Sequence, residues 1–338
     1  MIPWTLGLGS WDFDLDHFTK ALTHMASTGS SFSAPPFQGI ATFGRCPHTR
    51  VLKGVDVAIL GVPFDSTVSY RSGTRFGPRA IREQSLLLWG YNNALGVAPF
   101  EQLSAIDFGD VDVIPVDVIA THRAIELTAK TILDAGSRLI TLGGEHSISL
   151  PLLRAHAAVH GPMAVVHFDA HPDTWDEEYP GYKFSHGTPF RRAIEEGLID
   201  TSAYFQIGIR GPTAGPQDYE DAKQLGAQML VADDVHSRGV PSILSEVRQC
   251  LGSRPTYVTL DIDAVDPAYA PGTGTPEVGG LTSYQILQLI RGLRGLNLVG
   301  FDLVEVSPPY DPSQITAILG ANLAFEFLSL LALKSRGH

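Results

Sequence analysis

"RLITLGGEHSISLPLLRAHAAVHGPMAVVHFDAHPD", residues 138–173, decides the fold. It opens and closes on apolar runs of strand length, RLITLGGEH (138–146) and MAVVHFDAH (163–171). Between them SLPLLRAHAAVHG (149–161) spaces its apolar residues as a helix does. Strand, helix, strand is the unit of a parallel sheet, and the rhythm extends both ways along the chain. Further strands are expected at VDVAILGVP (55–63), SAIDFGDV (104–111), YFQIGIR (204–210), AQMLVADDV (227–235), YVTLDIDAV (257–265) and LVGFDLVEV (298–306). Helices are expected at 118–136, 241–251 and 283–293. About eight strands alternating with helices predict a parallel α/β sheet covered on both faces. No Ser/Pro linker or internal repeat divides them, so 51–338 reads as one domain. Residues 1–50, irregular and aromatic, read as an N-terminal arm with a short helix near 14–25.

Composition narrows the function. The 338 residues carry 24 basic against 36 acidic groups, net −12, which gives no general attraction to nucleic acid or to an anionic membrane. Cys46 and Cys250 stand far apart, which excludes a disulfide framework and a thiolate zinc site. The start, MIPWTLGLGSWDFDLD, has no basic residues before its apolar ones and does not read as a signal peptide. A reducing, cytoplasmic compartment is the expectation. The apolar stretch ITAILGANLAFEFLSLLAL (315–333) contains Asn322 and Glu326 and is expected to be a buried core helix rather than a membrane span.

Ligands of such sheets gather at the carboxyl ends of the strands, and there the apolar runs stop on titratable groups. The third strand ends in LGGEHS with His146, the fourth in FDAHPD with Asp169, His171 and Asp173. The seventh is TLDIDAVDP with Asp261 and Asp263, and the eighth ends in DLVEVSPP with Glu305. Singly, His146 is a turn or core histidine, and the two aspartates cap a helix. Together, carboxylates converging in a low-dielectric site repel and rise in pKa, a penalty that divalent cations remove. Four Asp and two His offer oxygen and nitrogen without sulfur, which suits Mn2+, Fe2+, Co2+, Ni2+ or Zn2+. Six ligands suit two ions sharing carboxylates. His167 lies deeper in its strand and reads as hydrogen-bonded support, and Asp302 as support behind the ligands. Asp266, before Pro267, fixes a turn, and Glu145 should point away from His146.

With these residues in place, the chain resembles the ureohydrolases, the family of arginase, agmatinase and guanidino-acid hydrolases. LGGEHSISLP, VVHFDAHPD and TLDIDAVDPAYAPGTGTPEVGG are similar to its three signature blocks. YRSGTRFGPRAIR (70–82), SHGTPFRRAIEEG (185–197) and DLVEVSPPYD (302–311) support the match, the last two looking closer to agmatinase and guanidinobutyrase-like members than to arginase. Glu145 stands where the family usually has Asp. The resemblance implies a three-layer α/β/α sandwich with a mainly parallel eight-stranded sheet, assembled as a homo-trimer or homo-hexamer, with room for a related second chain. It implies two Mn2+, or Ni2+ as in some relatives. His146, Asp169, Asp173 and Asp261 would hold one ion, and His171, Asp169, Asp261 and Asp263 the other. The activity implied is hydrolysis of a guanidino C–N bond to urea and an amine. Asp173 would orient the attacking water, Glu305 pair with the guanidinium, and His186 of SHGTP protonate the leaving nitrogen.

The tail of this small guanidine-type substrate is harder to read. In TWDEEYPGYKFSHG (174–187), Asp176, Glu177 and Glu178 either meet a cationic tail, as in agmatine, or form a solvated rim. An acid tail, as in guanidinobutyrate or guanidinopropionate, needs a cation, with Arg71, Arg75, Arg191 and Arg192 as candidates. Arg79 and Arg82 are expected to stabilise the start of the GP-containing helix. A guanidino acid or agmatine is the expected substrate, with guanidine or an alkylated biguanide as the alternative. Two other classes compete. A one-zinc deacylase of related fold has no use for both His146 and Asp263, and a non-catalytic scaffold subunit would lose ligands that are all kept here.

Overall fold

The computed structural model describes residues 35–335. Most of the expected N-terminal arm, with its helix near 14–25, lies outside the described residues. The chain divides into two units, Met1–Gly39 and Ile40–His338, and the fold below is that of the second. All eight expected strands form: β1 (Val57–Val62), β2 (Ala105–Asp110), β3 (Arg138–Gly143), β4 (Met163–Phe168), β5 (Ile199–Ile209), β6 (Gln228–Val231), β7 (Thr256–Asp261) and β8 (Leu298–Val304). They make one sheet in the order β2-β1-β3-β8-β7-β4-β5-β6, every pair parallel. Strands β1, β4, β7 and β8 are buried along their whole length, as strands covered on both faces must be.

Alternation along each strand divides the core. On β3, Ile140 and Leu142 face one layer, with Phe301, Leu303 and Phe327. Leu139 faces the other, with Ile125, Ile132, Leu152 and Leu153. Helices Val240–Leu251, Ser283–Gly292 and Ile315–Ser335 supply the first layer, and Val118–Asp134 and Ser149–His160 the second. This is the three-layer α/β/α arrangement. The most apolar window of Ile315–Ser335 is 83% buried, which makes it a core helix. Its Glu326 is satisfied by Asn92 Nδ2 at 3.0 Å and by Arg291.

Arg82 departs from expectation. It lies in the last turn of helix Gly77–Ser85, not at its start. A buried guanidinium needs carboxylates, and this one reaches across to β2. Its Nε donates to Asp107 Oδ2 at 2.8 Å and its Nη1 to Asp110 Oδ1 at 2.6 Å. It therefore ties the helix to the end of β2. A cleft of about 430 Å3 lies beside it, but Arg82 already occupies the Asp107 and Asp110 side chains there.

The sheet order positions the site. β8 and β7 are last in sequence yet insert between β3 and β4. The four strands whose ends carry titratable groups are thus neighbours at the centre of the sheet.

Candidate metal centre

The turn after β3 brings His146 into the centre. A Cβ on Gly144 would lie 1.9 Å from the Phe64 carbonyl oxygen, so only glycine fits there. The Gly144 carbonyl accepts from Glu305 N at 2.8 Å, which locks the end of β8 against the end of β3. Asp173 and Glu305 both hold positive φ, 48° and 64°. Backbone strain of this kind collects where side chains must be aimed.

His146 ties the centre together. The Thr259 hydroxyl donates to Asp302 Oδ1 at 2.6 Å, so toward His146 it can only accept. His146 Nε2, 2.9 Å from Thr259 Oγ1, therefore carries the proton. In the neutral ring Nδ1 is left as a buried lone pair without a hydrogen-bond partner. Around it lie Asp173 Oδ2 at 2.9 Å, Asp169 Oδ2 at 3.1 Å and Asp261 Oδ2 at 3.4 Å. On the other side His171 Nδ1 lies 3.1 Å from Asp263 Oδ2 and 3.5 Å from Asp169 Oδ1. Acceptors facing acceptors in a buried site require a positive charge between them. The titration directions agree. Burial disfavours charge on His146 and His171, yet the surrounding carboxylates hold both well above their ordinary values. Burial and the neighbouring aspartates push Asp173 up to about 7 and raise Asp261 well above its usual range. The six residues fit a pair of divalent cations.

The supporting residues fall as read. His167 donates from Nε2 to Asp169 Oδ2 at 2.7 Å, with Nδ1 3.1 Å from Tyr204 Oη, so neither nitrogen is left for a cation. Asp302 orients His146 through Thr259. Asp266 accepts from the backbone N–H groups of Ala268, Gly279 and Gly280. Glu145 turns away from His146 to Thr67 and Ser147. Burial, then the charge of Glu305, raise its pKa to about 7.

A cavity of about 110 Å3 opens onto the centre, lined in part by His171, Asp173, Asp261, Trp175, Glu178 and His186. His186 joins three elements: Nε2 lies 2.9 Å from Ser69 Oγ and 3.4 Å from Glu178 Oε1, and Nδ1 lies 3.4 Å from Glu305 Oε1. Burial works against a charge on His186, but the Glu178 and Glu305 carboxylates outweigh it and hold the ring well above its ordinary pKa. The Ser69 N–H points at Nε2 at 3.0 Å, so in the neutral ring the proton sits on Nδ1, facing Glu305. Glu305 Oε1 accepts from His146 N at 3.0 Å, while Oε2 is buried without a partner. The structure thus gathers all the expected site residues. Three more went unread in the sequence: Ser69, one position before YRSGTRFGPRAIR, Thr275 within the third signature block, and Thr259, masked as an ordinary strand residue.

Residues 55–329 match the arginase family model. The chain is 46% identical to guanidinobutyrase of Pseudomonas aeruginosa over 88% of this chain and 94% of that protein. It is also 46% identical to mitochondrial agmatinase of Gallus gallus, over 89% and 91%. The solved proclavaminate amidinohydrolase of Streptomyces clavuligerus superposes with a TM-score of 0.85 at 42% identity, over 89% of this chain and 99% of that one. The chain belongs to the arginase family of binuclear metal-dependent hydrolases. It is an amidinohydrolase that cleaves a guanidino C–N bond.

Proposed function

We propose that this chain hydrolyses a guanidino acid of the guanidinobutyrate or guanidinopropionate type, releasing urea and an amine. His146, Asp169, Asp173 and Asp261 would hold one cation, and His171, Asp169, Asp261 and Asp263 the other, with Mn2+ the first choice and Ni2+ the second. Such a pair, when bound, lowers the pKa of a shared water to near neutrality and makes it a nucleophile.

The observation that carries the reading is the buried, unpartnered Glu305 Oε2 beside this cluster. A planar carboxylate with a free oxygen seats a guanidinium through paired N–H···O bonds. Asp173, at the cavity wall, orients the water toward the guanidinium carbon. His186, held in its charged form by the Glu178 and Glu305 carboxylates, gives a proton to the nitrogen that leaves as the C–N bond breaks and returns to the neutral ring, which the proton shed by the attacking water recharges. The sum is R–NH–C(NH2)2+ + H2O → R–NH3+ + urea.

The tail follows from which charges are free. The acids of the 174–187 loop are taken up by the loop and by the helix that follows it. Asp176 holds Arg192 and Lys183, Glu177 accepts from Gly181 N at 2.9 Å, and Glu178 holds Ser185, Gly187 N and His186. Among the arginines, Arg75 pairs with Asp65, Arg191 with Glu195, and Arg192 with Asp176 and Glu195. Arg71 has no carboxylate partner among the described residues and lies over the rings of Tyr70 and Tyr310 at 5.4 and 5.0 Å. Its carbonyl oxygen and Glu305 Oε2 flank Gly274, 3.1 and 3.5 Å from where a Cβ would stand. A cation free at this rim favours a carboxylate tail over the amine of agmatine. The small cavity, walled by Trp175, favours a second reading, guanidine itself or an alkylated biguanide.

The test is urea release from guanidinobutyrate, guanidinopropionate, agmatine, guanidine, arginine and a biguanide, with enzyme reconstituted in Mn2+ and, separately, in Ni2+. Guanidino acids should turn over fastest, and no urea from any of them would end the reading. We further propose a cytoplasmic homo-trimer or homo-hexamer in which 51–338 acts as one catalytic domain, a mass that light scattering would give.

A further inference from the structure

A second cleft, of about 250 Å3, lies at the opposite pole of the sheet, where β3 and β8 begin. Seven strand residues separate the start of β8 from the metal centre, roughly 20 Å at the rise of an extended chain. Arg138, His160 and Lys334 line this cleft together, with Asn297 and Ser137 between them. In a chain of net charge −12, three basic side chains share one concavity. Among the described residues none of the three forms an ion pair with a carboxylate. Lys334 Nζ reaches only the Asn297 amide oxygen, at 2.6 Å.

These side chains stand near the ends of helices Val118–Asp134, Ser149–His160 and Ile315–Ser335, whose last carbonyls attract cations. Among the described residues none of the three donates a hydrogen bond to a helix-end carbonyl, and Lys334 reaches only the Asn297 side chain, so their donors are left for a ligand. Burial, and then the neighbouring charge, lowers the pKa of His160 beside Lys334 and of Lys334 beside Arg138. Arg138 is half-buried while His160 and Lys334 are exposed at the mouth of the cleft, and two like charges set this close, Arg138 and Lys334, are stabilised when an anion joins them.

We propose that the cleft at the amino ends of β3 and β8 is a binding site for a phosphoryl group, held by Arg138, Lys334 and His160. Arg138 supplies a planar fork for two oxygens, Lys334 and His160 point donors for the third. The volume exceeds that of a bare phosphate ion, so the group is free inorganic phosphate or the phosphate of a small monoester. The inference is independent of the substrate assigned to the metal centre.

The test titrates metal-loaded protein with inorganic phosphate, glycerol phosphate and acetate by calorimetry at constant ionic strength, alongside Arg138→Gln and Lys334→Gln. Saturable phosphate binding that each variant weakens by about tenfold or more, with turnover at the metal centre unchanged, is the expected result. Tighter binding of glycerol phosphate than of phosphate identifies a monoester, and the reverse order identifies the free ion. Equal phosphate binding by wild type and both variants, no saturable binding, or acetate bound as tightly as phosphate each overturns the proposal. His171→Ala retaining the phosphate heat would separate this cleft from the metal centre, and its losing that heat would overturn the proposal.

Discussion

His146 shows how a single proton placement organises the centre. Because Thr259 spends its hydrogen on Asp302, His146 must spend its own on Thr259, and Nδ1 turns a lone pair toward three aspartates. On the proposed ligand assignment, His171→Ala or Asp261→Asn abolishes urea release and lowers the metal bound per chain, measured by elemental analysis. Retention of both activity and metal would refute the assignment. His186→Ala keeps its metal while kcat falls by about 10²–10⁴, the usual worth of a positioned proton donor. Metal loss in that variant would mean the histidine is misplaced. Arg71→Met raises KM for guanidinobutyrate by about tenfold or more while leaving KM for guanidine alone. An equal rise for both substrates would show that Arg71 holds the rim rather than reads the tail.

At the scale of elements, the centre depends on two junctions. The turn after β3 passes so close to Phe64 that Gly144→Ala cannot be accommodated without moving backbone. That variant should lose stability and metal together, and a normal melting temperature with full metal content would argue against the contact. Across β7 and β8, Thr259 and Asp302 are register partners, which is why a hydroxyl on β7 can be aimed across β8 at a ligand that follows β3. Thr259→Val keeps the strand's shape and removes the relay. Metal affinity should fall by about 10–100-fold, as for other residues that orient a ligand, with the circular dichroism spectrum unchanged.

Over the whole molecule, part of the acid sensitivity originates away from the metal centre. His156 is buried on helix Ser149–His160, with Nδ1 2.8 Å from the Leu152 carbonyl and Nε2 without a partner. Burial, the largest cause, lowers its pKa from 6.5 to about 4. Above pH 6.5 the ring is neutral in both the folded and the unfolded chain, and the stability is complete. As the pH falls below 6.5 the unfolded chain takes up the proton first. Stability then drops by about 1.4 kcal/mol per pH unit until the folded pKa is reached. Urea denaturation from pH 7 to pH 4 should show at least this slope, because buried His122, lowered to about 3, adds its own, and His156→Gln should reduce it by the share of one histidine. An unchanged slope in the variant would place the acid sensitivity elsewhere.

The sequence by itself determined the strands, the helices between them and the identity of the six candidate ligands. These are local properties: apolar runs set the elements, and a parallel sheet sends its titratable residues to the carboxyl ends. His167 and Asp266 were legible for the same reason, since position along a strand or before a proline fixes their partners. Only the tertiary structure decided that β8 and β7 come between β3 and β4, because strand order depends on which helical layers pack together. It also decided the destination of each charge. Arg82 leaves its helix for β2, the acids of the 174–187 loop are taken up by that loop and by Arg192 of the helix after it, and Ser69 and Thr259 become partners of the two histidines. A charged or hydroxyl group is satisfied by whatever lies across from it in space, and no spacing along the chain records that.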